Sequence, residues 1–401
     1  MAIEHSHFNA TPIVPPIDAA RGITRRTFAQ TLLAAALAQG GCRKTDDPEA
    51  ETRPVSEANF KNKRLLIPKD GAYTGAYIEF GDREDDVTLE KIEAFEKLVG
   101  KHQAIVASSS YWGEQTFPND NLRLIARHDS VPLVYWSPWD RPYVEGAGPD
   151  KYSLTRILAG EHDAYIDRWA DQAREFGWPM FVSLANEMNG SWFPWSGVHY
   201  GGGNVIPGGN PPAFEGPETF KKAWRHIVDR VRARNATNII WVLHLMIFSD
   251  PQEKWNLAAQ YYPGTDYVDW LGLSLYGSQF PGDAEWAPFA PLIDWPYTEI
   301  CQLDPVKPIM LCEWGAAELP ALGDKAQWIR DAFRIMKEPH YSRIKAAVFW
   351  HERWQNSEGE NAGKYSNLRV NSSPGSLEAY RHGVSDPYFV DKPLFASVKA
   401  R

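Results

Sequence analysis

Two glutamates stand where apolar runs end, far apart in the chain: Glu187 closes "PMFVSLANE" (179–187) and Glu313 lies in "PIMLCEWG" (308–315). A charged group at such a place must be satisfied by partners or used for chemistry. Taken singly, each reads more readily as a solvated acid or an ion-pair partner. Two acids converging on one bond are another matter. One, protonated, can hand its proton to a leaving oxygen. The other, ionised, can attack the carbon or activate water, which is what cleaving a glycosidic bond requires. Trp192, Phe193 and Trp195 follow Glu187 closely, and rings that exclude water favour the protonated acid.

Elements able to hold such a pair are legible along the chain. Short, nearly continuous apolar runs at 75–80, 103–110, 132–138, 179–186, 238–246, 270–276, 308–314 and 345–351 read as strands buried on both faces. Amphipathic stretches separate them. Leu89, Ile92 and Val99 mark one helical face after a cap at Asp85-Asp86, and Gly100 ends it. Tyr165, Trp169, Ala173 and Phe176 mark another, as do Phe220, Trp224, Ile227, Val228 and Val231. No GxGxxG or P-loop follows the first strand, which disfavours a nucleotide-binding open sheet. The alternation predicts an α/β fold, a (β/α)8 TIM barrel in a single domain spanning 61–401, with chemistry where the strands end. Glu187 and Glu313 then sit at the ends of the fourth and seventh strands and face each other across the mouth.

The chain carries 17 Trp, 17 Tyr and 18 Phe, and flat apolar rings stack on sugars as well as on one another. "SYWG" offers Tyr111 and Trp112 to a cleft, and "YWSPWDRPY" offers Trp136, Trp139 and Tyr143. The glycine-rich segment 199–212 reads as a loop beside that cleft. A formal charge of -9 argues against nucleic acid or an anionic membrane surface as the main partner. No cofactor or metal is expected. Cys301 and Cys312 lack metal-ligand spacing and read as free thiols, and His102, His244 and His351 near strand ends read as structural.

"TRRTFAQTLLAAALAQGGC" pairs Arg25 and Arg26 with Phe28 and an apolar stretch from Leu32 to Ala38, ending at Cys42. It resembles a twin-arginine export signal, and Cys42 resembles a lipoprotein acceptor, although Gln39 stands where a leucine is usual. The expected organisation is a signal with a candidate lipobox over 1–42 and a polar tether over 43–60. An exported monomer is expected, in the periplasm or at the cell surface, with Cys42 as the candidate attachment point of a lipid anchor to a bacterial membrane.

"NEMNGSWFPWSG", "YYPGTDYVDWLGLSLYG" and "KPIMLCEWGA" resemble segments of glycoside hydrolase family 26, the β-mannanase-like retaining β-glycanases of clan A. The likeness extends over "GAYTGAYI", "GEHDAYIDRWADQAREFGWP" and "NLRVNSSPGSLEAY". It implies Glu187 as general acid/base and Glu313 as nucleophile, with Tyr276 beside the nucleophile, Trp192 beside the acid/base, and Trp350 as the floor under the reacting sugar. Trp195, Trp112 and Trp136 complete the expected substrate-binding set. Family mannanases usually have histidine before the acid/base. Asn186 stands there instead, as in other clan members, where its amide can bond the sugar's 2-hydroxyl. That leaves a retaining mechanism intact and puts mannan in doubt. The implied activity is endo-hydrolysis of a β-1,4- or mixed-linked polysaccharide of mannan or β-glucan type. Transglycosylation at the same site and a non-catalytic polysaccharide-binding lipoprotein are the alternatives.

Overall fold

The computed structural model describes residues 63–140, 148–149, 151–357 and 359–397. The export-signal segment, Cys42, the tether and Tyr143 lie outside the described residues. Eight parallel strands form the barrel: β1 (Ala72–Ile78), β2 (Ile105–Tyr111), β3 (Val131–Ser137), β4 (Met180–Leu184), β5 (Ile239–Met246), β6 (Trp270–Tyr276), β7 (Ile309–Gly315) and β8 (Ile344–His351). Each pairs with its neighbours in chain order, and β8 returns to β1 in parallel register from Ala346↔Tyr73 to His351↔Ile78. Closure removes both sheet edges, so every strand is covered on two faces, which explains runs with no polar alternation.

Helices fill the outside: α1 (Leu89–Val99), α2 (Asn119–Arg127), α3 (Asp163–Phe176), α4 (Glu215–Ala233), α5 (Phe289–Leu303), α6 (Lys325–Ile335) and α7 (Pro374–Val384). Thr88, rather than Asp85 or Asp86, caps α1, its hydroxyl accepting from the Lys91 amide, and Gly100 ends the helix at φ 74°. Between β5 and β6 only a four-residue helix, Ala258–Tyr261, replaces the usual long one. Residues Phe389–Val390 add beside the start of β1, and Phe395–Ser397 pairs with Lys63–Leu65. The chain's closing strands therefore cover the end of the barrel where its strands begin. No helix among the described residues is long and apolar enough to cross a membrane.

Candidate active site

The backbone leaves β4 in an unusual way. Ala185 and Glu187 both take left-handed conformations, φ 47° and 56°, which non-glycine residues adopt rarely and at a cost. The strain is held by tertiary hydrogen bonds. The Glu187 amide donates to the His244 carbonyl at 2.7 Å, and the Ala185 amide to the Trp136 carbonyl at 3.1 Å. Asn189 clamps the loop to the end of β5: its amide donates to the Met246 carbonyl at 3.1 Å and its oxygen accepts from the Met246 amide at 2.9 Å. Gly190 then lets the Trp192 ring fold back, since a Cβ there would meet the indole at 2.5 Å. The Trp192 indole N–H reaches Glu187 Oε2 at 3.1 Å.

Glu313 is aimed by a different device. On the β6 side, Leu311 pairs with Leu273 and Glu313 with Ser274, so Cys312 is an extra residue in β7. The register with β8 also slips between Leu311 and Trp314. A bulge of this kind turns the following side chain, here toward the barrel axis. Tyr276, the last residue of β6, donates its phenol to Glu313 Oε2 at 2.6 Å, and such a donor favours the ionised carboxylate. The Cys312 thiol beside it is fully buried and is pushed well above its ordinary value, first by desolvation and then by the charge of Glu313. It stays a neutral thiol.

These two devices bring the acids together. Glu187 and Glu313 are 3% and 1% exposed. One carboxylate oxygen of each, with one ring nitrogen of His244, lie within 4.8 Å of one another. Both His244 nitrogens are taken by serine hydroxyls, Nδ1 by Ser183 at 3.0 Å and Nε2 by Ser274 at 2.7 Å. Hydroxyls can donate or accept, so a neutral imidazole is satisfied on both sides and is not a free metal ligand.

A narrow cleft, open at its mouth, is lined by Asn186, Trp195, Phe193, Trp139, Tyr135 and Glu313, among others. Trp195 stacks on Phe193 at 4.5 Å and 15°, and its N–H donates to the Asn186 carbonyl at 2.7 Å. Trp350 stacks on Tyr77 at 4.0 Å and donates to Glu352 Oε2 at 2.9 Å. Two expected platforms lie elsewhere. Trp112 and Trp136 are fully buried, with Trp136 stacked on Trp169 at 4.0 Å and bonded to the Tyr165 hydroxyl at 3.0 Å. Their rings point outward from β2 and β3 into the α3 layer, so they pack core rather than line the cleft.

Residues with no sequence signal also reach this cleft. Glu84 lines it, 6% exposed, in a left-handed conformation at φ 57°, accepting from the Ser109 hydroxyl at 2.7 Å. It falls in "GDREDDV", an acidic run that reads as solvated. Ser137 and Tyr135 close strand β3 on the same wall, and the Tyr135 hydroxyl donates to the Cys312 carbonyl at 2.9 Å. Two buried carboxylates this close, one held by an indole and the other by a phenol, are equipped for proton delivery and nucleophilic attack at one centre.

The model of Glycosyl hydrolase family 26 matches residues 153–294, which include Asn186, Glu187, Trp192, Trp195 and Tyr276. Endoglucanase H of Acetivibrio thermocellus is 28% identical over 73% of this chain and 29% of its own length. A mannan endo-1,4-beta-mannosidase of Bacillus subtilis is 27% identical over 42% of each chain. Beta-1,3-xylanase TXYA of a Vibrio species is 24% identical over 61% of this chain and 52% of its own length. The chain thus spans no more than about half the length of these relatives. Among solved structures, the modular endo-beta-1,4-mannanase of Cellulomonas fimi covers 80% of this chain, with 72% of its own chain matched, at 19% identity and a TM-score of 0.54. The YdhT protein of Bacillus subtilis covers 83%, with 88% of its chain matched, at 17% identity and a TM-score of 0.52. Both likenesses concern the barrel fold.

Proposed function

We propose, for a chain whose residues 153–294 match the model of Glycosyl hydrolase family 26, that it is a member of that family and a retaining endo-β-glycanase. In the first step the Glu313 carboxylate attacks the anomeric carbon while Glu187 gives its proton to the departing glycosidic oxygen. In the second, Glu187 takes a proton from water, and the water oxygen displaces Glu313 from the sugar. The observation that carries this is the separation of the two acids. Oxygens within 4.8 Å favour direct attack, for which carboxyl groups stand about 5–5.5 Å apart, over an inverting enzyme's interposed water, which needs roughly 6.5–9.5 Å. Tyr276 keeps the nucleophile ionised, and Trp192 holds the acid against the leaving group's side.

The substrate we infer is a β-1,4- or mixed-linked glucan in preference to mannan. Asn186 beside the acid/base supports an equatorial 2-hydroxyl. The longer match to a relative named endoglucanase than to one named mannosidase, 73% against 42% of this chain, points the same way. The arginine pair and Cys42 support export and surface anchoring of the enzyme.

The test is reducing-end release from barley-type glucan, mannan, glucomannan and xylan, with the product anomer followed by NMR. Glu313→Ala should abolish release and recover part of it with azide as external nucleophile. Inverted product, or undiminished turnover in Glu313→Ala, overturns the reading.

A further inference from the structure

A second Glu–His cluster lies at the opposite end of the barrel. Glu96 is in the last turns of α1, His102 lies just before β2, and His128 caps the C-terminus of α2 just before β3. One donor atom of each lies within 4.8 Å of the others. Glu96 Oε1 is 2.7 Å from His102 Nδ1, and Oε2 is 2.9 Å from His128 Nε2. All three side chains are partly open to solvent, 15–19% exposed, so an ion has a way in.

We propose that Glu96, His102 and His128 form a binding site for zinc or a similar borderline divalent cation. Two imidazoles and one carboxylate are an established donor set for zinc, with a fourth position left to water or another acid. The partners behind the donors carry the case further. His102 faces an acceptor from each ring nitrogen, the Glu96 carboxylate at Nδ1 and the Asp129 carbonyl at Nε2, 3.3 Å away. Nδ1 thus faces the cluster and Nε2 faces a backbone carbonyl. An imidazole that donates its far N–H to a backbone carbonyl is the arrangement that orients metal-bound histidines. Asp129 holds that carbonyl from a left-handed turn, φ 61°. Glu96 is braced likewise, its Oε1 accepting from the Gln103 amide at 3.0 Å.

The fit requires little movement. Donors about 2.1 Å from one tetrahedral ion stand roughly 3.4 Å apart, so Glu96 Oε1 must retreat from His102 by about 0.7 Å and Oε2 from His128 by about 0.5 Å. The charge of Asp391, next to the closing strand Phe389–Val390, also acts on His102. A cation here would tie α1 to the entries of β2 and β3, near the chain's closing segment, without touching the cleft.

The experiment uses full-length, tag-free protein stripped with EDTA. Zinc titrated by calorimetry should bind at one equivalent and release protons, seen as heats that differ between buffers of unlike ionisation enthalpy. It should also raise the unfolding temperature by a few degrees at saturating metal. Cobalt(II) should give the intense visible bands of a tetrahedral site. His128→Gln and His102→Ala should each weaken binding at least tenfold, with circular dichroism confirming the fold. Glu313→Gln should leave binding unchanged, which separates this site from the upper cluster. Absence of saturable zinc binding by the folded wild type overturns the proposal. Equal affinity in His128→Gln and wild type does the same.

Discussion

The two ends of the barrel hold clusters of the same two residue types in opposite proportion, two carboxylates and an imidazole above, two imidazoles and a carboxylate below. They differ in what surrounds the rings. His244 is fully buried and meets a serine hydroxyl at each ring nitrogen, groups that can serve a neutral ring. His102 is partly exposed and meets two acceptors, so it asks for positive charge. Below, Glu96 is spent on its neighbours: burial raises its carboxyl, but hydrogen bonds from His102, His128 and Gln103 outweigh this and hold it at about 2. Residue type alone does not assign a role. The partners that remain after packing do.

The largest effect that sharpens the contrast is on rate. Glu313→Ala should lower kcat by about 10⁴-fold or more, some 5 kcal/mol of transition-state stabilisation, at an unfolding temperature close to wild type. Glu96→Ala should do the reverse, leaving kcat unchanged and lowering stability. Parallel kinetics and thermal melts decide it. Equal rate losses in both would dissolve the distinction.

Next comes acid stability, measured in EDTA. Glu96 drops from 4.5 to about 2 on folding, which at about 1.4 kcal/mol per unit, discounted for solvent screening of a partly exposed pair, is on the order of 1–2 kcal/mol. A depressed acid contributes fully above 4.5 and loses its contribution as pH falls through about 2. Burial opposes charge on His102, but its bond to Glu96 prevails and raises it above 6.5. That contribution is full below 6.5 and fades as pH rises through the raised value. The lower cluster therefore stabilises most between about pH 4.5 and 6.5. Denaturant melts of Glu96→Gln should show a flatter profile from pH 5 to 2 than wild type. An unchanged slope would mean the cluster is not charged as described.

Within the upper cluster, Tyr276→Phe removes the 2.6 Å phenol bond to Glu313 and should cost about 2 kcal/mol, roughly 30-fold in kcat. This loss should come with a shift of the kcat profile's acidic limb to higher pH, because the carboxylate loses a donor that favours its charged form. A change in KM alone would reduce Tyr276 to a packing residue.

What could be read beforehand follows from what side-chain pattern encodes. The barrel was legible because strands covered on both faces must be apolar throughout, and "WLGLSLY" was bounded to the residue as β6 (Trp270–Tyr276). Glu187, Trp192, Glu313 and Tyr276 converge because each stands at or near a strand's end. The bulge at Cys312 was invisible, since an extra residue in a ladder changes register but not hydrophobicity. Trp112 and Trp136 misled for a related reason: a strand-end aromatic can turn inward or outward, and only the α3 layer shows that these turn out. Glu84 hid in an acidic run. Glu96, His102 and His128 meet only once α1 and α2 pack beside β2 and β3, so no spacing announces them.

The smallest expected effect probes why His244 stays neutral. Ser274→Ala removes the hydroxyl 2.7 Å from His244 Nε2, one hydrogen bond to a buried ring, at a cost of about 1–2 kcal/mol in stability. Glu187 and Glu313 each bring a carboxylate oxygen within 4.8 Å of one of that ring's nitrogens. The variant should therefore acquire what the upper cluster lacks, zinc inhibition of turnover that EDTA reverses, while wild type under the same zinc concentration keeps its rate. Zinc sensitivity equal in both proteins would show that the serines are not what separates the two clusters.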